Sequence, residues 1–396
     1  MLLGGIRYLL PVIEAAHHHG YYVITVDYVP ENIAHQYSDE FHNVSILDKE
    51  AVLHLAKELN IDGILSFGVD PGVVTAAYVA EQMGLSFQCS YDVACILQDK
   101  SQFRQFLKDN DFNVPNAKGY SSKEEALADT AYYNWPVIVK PVDSAGSKGV
   151  TRVDELGQLS SAIDYALSES HNGHFIIEDF LEKEGNSSDC DSFTVDGELV
   201  FCSFNDQHFD PKAINPYTPA AFSWPSTMPQ WAQEELRSEL QRLMTLLNVK
   251  TGVYNIETRL CKNGKPYIME LAPRGGGNRL SEMMKYISGQ DLIDNCVRAA
   301  VGDSLDVIHQ PIYEGYWAEI ILHSECDGIF QSIEIDKAVE ECFLIEKDIW
   351  VKAGEKVQGF TGANTTIGTL VLRFNTNEEM TCCLSNQETW LKIIVL

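Results

Sequence analysis

Val253-Tyr254-Asn255-Ile256-Glu257 and Tyr267-Ile268-Met269-Glu270 are two short apolar runs, and the second continues into Ala272-Pro273-Arg274-Gly275-Gly276-Gly277-Asn278. Each run reads as a strand, and Asn263-Gly264 between them is a tight hairpin signal. Each strand delivers a glutamate at its far end. In an antiparallel hairpin the two can sit side by side on one face. Adjacent carboxylates repel unless a cation or a shared proton lies between them. An arginine and a glycine loop follow at once, which suits an anion. Two carboxylates, an arginine and a flexible loop are what a magnesium-phosphate site needs.

Upstream, residues 135–140 read as a strand ending in Lys140, followed by Pro141-Val142-Asp143-Ser144-Ala145-Gly146-Ser147-Lys148-Gly149-Val150. A lysine there can hold a phosphate as a point charge while loop N–H groups cover its oxygens. The segment is neither a Walker A loop nor a kinase Gly-x-Gly-x-x-Gly loop. Glu178-Asp179-Phe180-Leu181 closes a further strand over 174–177, and such a segment can pair its backbone with an adenine ring. Lys100 lies in a helical run over 92–108.

Elsewhere the pattern divides into three parts. Residues 1–95 alternate strand and helix, which predicts a parallel sheet with helices on its faces. Residues 193–204 read as a hairpin turning at Asp196-Gly197, and 205–229, rich in proline and aromatics without a period, as a long ordered loop. Helices are expected over 233–247 and 280–301, and β-rich structure from about Pro311.

The chain has 396 residues, 45% hydrophobic and 22% charged, with a net charge of −28. That length calls for two or three domains. The charge disfavours a nucleic-acid partner, which would want a basic stripe, and fits a solvated surface. No apolar run reaches the ~18 residues a membrane span needs. The N-terminus lacks the pattern of a signal peptide, and ten cysteines without a CxxC pair suit a reducing compartment, so a cytoplasmic protein is expected. Cys382-Cys383, read as strand neighbours, would face opposite ways and make a poor disulfide. His17-His18-His19 reads as the solvated end of a helix closed by Gly20.

Taken in order, Lys100, Lys140 with its Gly/Ser loop, the Glu178 segment, Glu257, Glu270 and Arg274 resemble the ATP-grasp superfamily of carboxylate–amine ligases. The resemblance runs over essentially the whole chain and is nearest to the L-amino acid ligase and carbamoyl-phosphate-synthase-like branches. It implies mixed α/β and α+β structure: a parallel, Rossmann-like pre-ATP-grasp domain over 1–95, an ATP-grasp domain over 96–310 with its lid about 115–182, and a β-rich region over 311–396. It implies ATP held by Lys100, Lys140, Ser144, Gly146, Ser147, Gly149, Glu178, Asp179, Phe180 and Leu181. It further implies Mg2+, or Mn2+ in its place, on Glu257 and Glu270, catalytic roles for Arg274 and Lys148, and substrate held by Gly275, Gly276, Gly277 and Asn278. In that family Glu178 would meet the adenine amino group. Two positions depart from the family pattern. Ala272 replaces the asparagine of Glu-x-Asn, and Gly185-Asn186-Ser187 stands where a ribose-binding Gly-x-Glu is usual, with Glu184, Asp189 and Asp191 nearby.

The expected chemistry activates a small carboxylate as an acyl phosphate and joins it to an amine, releasing ADP and phosphate, with amino acids leading among the substrates and a homodimer as the assembly. The alternatives are a purine-pathway or carbamoyl-phosphate-like enzyme, or an ATP-binding regulatory module without turnover. A dinucleotide enzyme using Asp27 is disfavoured, because Gly4-Gly5-Ile6-Arg7-Tyr8-Leu9 lacks the third glycine.

Overall fold

The computed structural model describes residues 1–144, 146 and 148–396. At the N-terminus a parallel sheet has the order Glu40–Asn43, Ile24–Asp27, Leu2–Leu3, Leu65–Ser66. Helices Leu10–His18 and Lys49–Leu59 supply the crossovers that parallel pairing demands. Ile24–Asp27 is buried throughout, as a strand covered on both faces should be. Glu40–Asn43 was not expected, because a half-buried edge carrying Glu, Phe, His and Asn shows no apolar period.

The predicted helix over 92–108 is two helices, Tyr91–Gln98 and Lys100–Asp109. Asp99 makes the break: its carboxylate accepts from the N–H groups of Ser101 and Gln102 and caps the second helix. Residues 280–301 divide likewise into Leu280–Ser288 and Leu292–Val301, at Gly289 with φ of 73°.

Two antiparallel sheets follow. The first runs Ala117–Tyr120, Phe175–Asp179, Val137–Pro141, Thr151–Val153. Helix Leu156–Glu169 packs Leu159, Ile163 and Ala166 against Val137, Val139 and Phe175 there. The second runs Glu198–Cys202, Ser188–Val195, Gly252–Leu260, Pro266–Ala272. On the Gly252–Leu260 strand, Tyr254, Ile256 and Leu260 join a core with Leu236, Leu240 and Leu243 of helix Gln230–Leu246. Asn255, Glu257 and Arg259 are left on the other face.

Residues 205–229 are not a loop. Asp206–Phe209 and Pro219–Trp224 pair antiparallel and open a sheet continued by Tyr316–Leu322, Gly368–Phe374 and Leu344–Ile349. Ala221, Phe222, Ser223 and Trp224 are all buried, so both strand faces are covered and the alternation that would have betrayed a strand is missing. All ten cysteines are free, and Cys382 and Cys383 lie on helix Asn377–Ser385 rather than on a strand. Among the described residues no helix is long and apolar enough to cross a membrane.

Candidate active site

The hairpin read from the sequence forms, with the chain reversing through Cys261–Lys265 and Gly264 at φ of 74°. Glu257 lies directly opposite Glu270. Regular pairing would not have done this. Counting back from Thr258 opposite Ile268, Glu257 would meet Met269. A β-bulge between Glu257 and Thr258 leaves Met269 without a partner and brings Glu270 into register. The Met269 carbonyl accepts from Arg104 Nη1 at 2.8 Å. The bulge therefore builds the paired carboxylates, and a buried guanidinium holds it.

Both glutamates are about one-third exposed and each has a cation within reach. Lys100 Nζ is 3.9 Å from Glu270, and Arg259 Nη2 is 3.5 Å from Glu257. Lys100 also donates to the Ser144 carbonyl at 2.9 Å, which ties it to the loop after Lys140. The neighbouring strand adds Asp189 opposite Glu257 and Asp191 opposite Asn255. Burial, with Glu257 alongside, pushes the Asp189 carboxyl up to about 8. This crowding of carboxylates suits a hard divalent cation with oxygen ligands. Among the described residues no three His, Cys, Asp or Glu side chains are placed to hold a metal by themselves. Glu257 and Glu270 would suit an ion whose remaining oxygen ligands were supplied by a bound phosphate.

Lys140 and Glu178 meet through the sheet register. Glu178 lies opposite Ile138, diagonal to Lys140 on the same face, and its Oε1 accepts from Lys140 Nζ at 2.5 Å. Arg104 Nε donates to Glu178 Oε2 at 2.9 Å. Burial disfavours the Glu178 charge, but Arg104 and Lys140 together hold its carboxyl down to about 2. Burial lowers the Lys140 ammonium, with Glu178 opposing. Both Glu178 oxygens are thus engaged by cations. Asp179 points away and accepts from Asn134 N and Nδ2 at 2.9 and 2.7 Å. Arg152 stacks 4.3 Å over the Phe180 ring, and the Leu181 carbonyl accepts from Arg259.

In the Gly/Ser loop, the Ser144 hydroxyl donates to the Glu169 carbonyl. Gly146 and Lys148 are exposed. Gly149 has φ of 71°, and a Cβ there would meet Pro141 at 2.9 Å. Ser147 and its neighbour Ala145 lie outside the described residues.

Arg274 is buried, and its fork is taken by Asp70 from the loop after the N-terminal strand Leu65–Ser66. Nε reaches Oδ1 at 2.7 Å and Nη2 reaches Oδ2 at 2.8 Å. The same loop clamps the next residue: Gly68 N donates to the Gly275 carbonyl at 3.1 Å, and a Cβ on Gly275 would lie 2.1 Å from the Phe67 ring. Gly276 N donates to Asp191 at 2.8 Å, and Asp191 also accepts from the Ser281 hydroxyl and, at 3.2 Å, from Asn255 Nδ2. Asp191 is fully buried, so this carboxylate pins the glycine loop. One of the loop N–H groups expected to meet substrate is used internally.

Asn255 is a residue that pattern reading passed over. It lies opposite Ala272, the position of the missing family asparagine, with Nδ2 donating to Asp189 at 2.8 Å and Oδ1 accepting from Arg274 at 3.3 Å. The amide absent from one strand is present across the ladder. Asp70 lies in the turn Phe67-Gly68-Val69-Asp70-Pro71, and its pairing with Arg274 is a contact that no local pattern encodes.

Residues 133–282 match the family described as the ATP-grasp domain, so an ATP-grasp domain is assigned to that segment. Among curated proteins it is 24% identical over 298 residues to the C-terminal section of the carbamoyl phosphate synthase large chain of Aquifex aeolicus, covering 74% of this chain and 54% of that one. It is therefore similar to about half of that relative's length. Among solved structures, an L-amino acid ligase from Bacillus licheniformis superposes with a TM-score of 0.81 at 19% identity, covering 100% of this chain and 98% of that one. The biotin carboxylase domain dimer of Hydrogenobacter thermophilus 2-oxoglutarate carboxylase, in complex with MgADP and bicarbonate, gives 0.75 at 18%, covering 100% and 90%. These likenesses show a shared fold over the whole chain.

Proposed function

We propose that this protein is an ATP-dependent carboxylate–amine ligase. The observation that carries the reading is the meeting of Glu257 with Glu270 beside Lys100, with Arg274 fixed at the end of the same hairpin. ATP would lie between the two antiparallel sheets, its adenine against the 178–181 segment and its phosphates toward Lys100, Lys140 and the loop through Lys148. Because Glu178 is saturated by Arg104 and Lys140, and the Asp179 and Phe180 N–H groups donate to the Asn116 and Pro136 carbonyls, the Leu181 N–H is the donor this reading assigns to the adenine edge. Glu257 and Glu270 would hold Mg2+, or Mn2+ in its place, which would screen the phosphate charge as it shifts toward the leaving ADP.

The chain's own residues then account for the rest. A substrate carboxylate oxygen attacks the γ-phosphorus, the bond to ADP breaks, and an acyl phosphate forms. An amine attacks the acyl carbon, the tetrahedral oxyanion faces Arg274, and phosphate leaves as the nitrogen loses its proton. Asp70 keeps the guanidinium aimed before charge develops, and the Gly/Ser loop excludes water from the acyl phosphate. The same reading expects small-molecule substrates with amino acids leading, a cytoplasmic enzyme, and a homodimer, the assembly named for the 2-oxoglutarate carboxylase domain.

The test is a screen of carboxylate and amine pairs, amino acids first, with Mg-ATP, read as ADP and phosphate release. Release that requires both partners supports the ligase. Tight ATP binding with no release for any pair would instead favour a nucleotide-binding module.

A further inference from the structure

Glu319 lies at the centre of strand Tyr316–Leu322, opposite Phe222 on one side and Val371 on the other. It is fully buried, and neither carboxylate oxygen has a hydrogen-bond partner. A carboxyl group in that state is costly in either form: ionised it wants a cation, and protonated it wants an acceptor. Among the described residues neither oxygen meets a partner at hydrogen-bond distance.

The charged groups nearby are Arg279, Glu282 and Glu346, with Tyr8 also in electrostatic reach. Arg279 is the cation of this group, but its donors are used elsewhere. Nε and Nη2 go to Glu282 at 3.2 and 3.1 Å, and Nη1 goes to Glu346 at 2.5 Å and to Thr369 Oγ1 at 2.8 Å. Three carboxylates therefore face one guanidinium that is already bonded. The cluster is short of positive charge, and burial raises the Glu319 carboxyl well above its ordinary range.

Its position gives the shortage a meaning. Asn278 and Arg279, which end the glycine loop after Arg274, are both left-handed, at φ of 51° and 57°. Arginine favours that conformation little, so its side-chain anchors hold it there. Tyr8 donates to Asn278 Oδ1 at 3.0 Å, so one side chain borders both the loop and the Glu319 cluster. Glu282 and Glu346 keep 26% and 30% of their side chains exposed and form the open side of the cluster.

We propose that Glu319, with Glu282 at its lip, is a recognition site for a cationic group, an ammonium or guanidinium carried by one of the substrates. This rests on the ligase reading: a substrate with its carboxylate toward Arg274 would place an ammonium past the glycine loop, as a zwitterionic amino acid can.

The experiment measures binding of L-lysine, L-norleucine, 6-aminohexanoate and hexanoate to the full chain by calorimetry, with Mg-ATP affinity measured separately. The four share a carboxylate and differ in which ammonium they carry. At least one ammonium-bearing acid should bind about 10-fold or more tightly than hexanoate, a difference corresponding to about 1.4 kcal/mol. Glu319→Gln should bring that ratio close to one, leave Mg-ATP affinity unchanged, and cause no loss of Tm, since Glu319 has no hydrogen bond to lose. Glu282→Gln should narrow the ratio as well, and it decides the matter if the first variant fails to fold. Equal binding of all four acids overturns the site, as does a ratio that survives both substitutions. Failure of Mg-ATP to bind, with the ratio intact, would sink the ligase reading and leave the cation site standing.

Discussion

Asp70 and Arg274 lie 204 residues apart and form a buried bidentate pair at 2.7 and 2.8 Å. The carboxylate comes from the turn after a strand of the N-terminal parallel sheet, and the guanidinium from the end of the site hairpin. Burial opposes both charges, yet Arg274 holds the Asp70 carboxyl below its usual range. Such fork-to-fork pairing fixes orientation as well as charge. The turn after the N-terminal sheet therefore helps to build the candidate site, by holding Arg274.

Asp70→Asn should accordingly separate turnover from nucleotide binding. The amide keeps the shape of the side chain but loses the charge and one of the two acceptors. Phosphate release should fall about 10- to 100-fold, as expected when an electrostatic group loses its aim, while ATP affinity stays within a few-fold. Glu should restore less than Asp, because the extra methylene displaces the fork. Full activity in Asp70→Asn would remove Arg274 from the mechanism or Asp70 from its support.

Glu270→Gln should abolish phosphate release and leave the fold intact. The side chain is about one-third exposed and meets Lys100 only at 3.9 Å, so little stability depends on it. Its charge matters if a divalent ion sits there. Circular dichroism with the release assay separates the two effects, and a variant turning over at the original rate would refute the metal role.

The pairing of Glu257 with Glu270 was legible in the two strands and the Asn263-Gly264 turn, but the means were not. A bulge at Met269 cannot be read from apolar alternation, because it depends on Arg104 capturing a carbonyl 165 residues away. Lys140 and Glu178 were both marked by strand ends, yet their mutual bond follows from sheet register that no local pattern encodes. The strands within 205–229 escaped because their two faces are equally buried. Asp70 falls in the Phe67-Gly68-Val69-Asp70-Pro71 turn and Asn255 in the first strand run, but neither stretch reveals the contact its residue makes, and Glu319 carries no motif. Their significance is entirely tertiary, and what each could have shown in sequence was only a polar residue beside apolar ones.

Asn255→Ala should weaken the site more than the loss of one neutral amide suggests. Its Nδ2 bridges Asp189 and Asp191, and its Oδ1 meets Arg274, so removal takes away a donor shared by two neighbouring carboxyl groups and an acceptor for the guanidinium. A destabilisation of about 1–3 kcal/mol is expected from the unsatisfied groups. Restoring the amide across the ladder, with Ala272→Asn in the Asn255→Ala background, should recover part of the lost phosphate release. A double variant no better than the single one would show that the two positions are not interchangeable.

Glu178→Gln tests the triad of Arg104, Lys140 and Glu178, and its signature lies in pH. The Glu178 carboxyl titrates near 2 in the folded protein against an ordinary 4.5, so its folded value is depressed. A depressed carboxyl adds stability that is fully present above about pH 4.5 and is lost as pH falls toward 2. Replacing it strands Arg104 and Lys140 without a counter-charge, which for a buried pair costs about 3–5 kcal/mol. Urea unfolding should show the variant less stable by that amount from pH 5 to 7, with the gap closing progressively below pH 4.5. ATP affinity should change little above pH 5 once the variant is folded, because Lys140 freed from Glu178 still faces the phosphates. A stability gap that is constant from pH 7 down to pH 3 would mean that the Glu178 charge is not what holds the two cations.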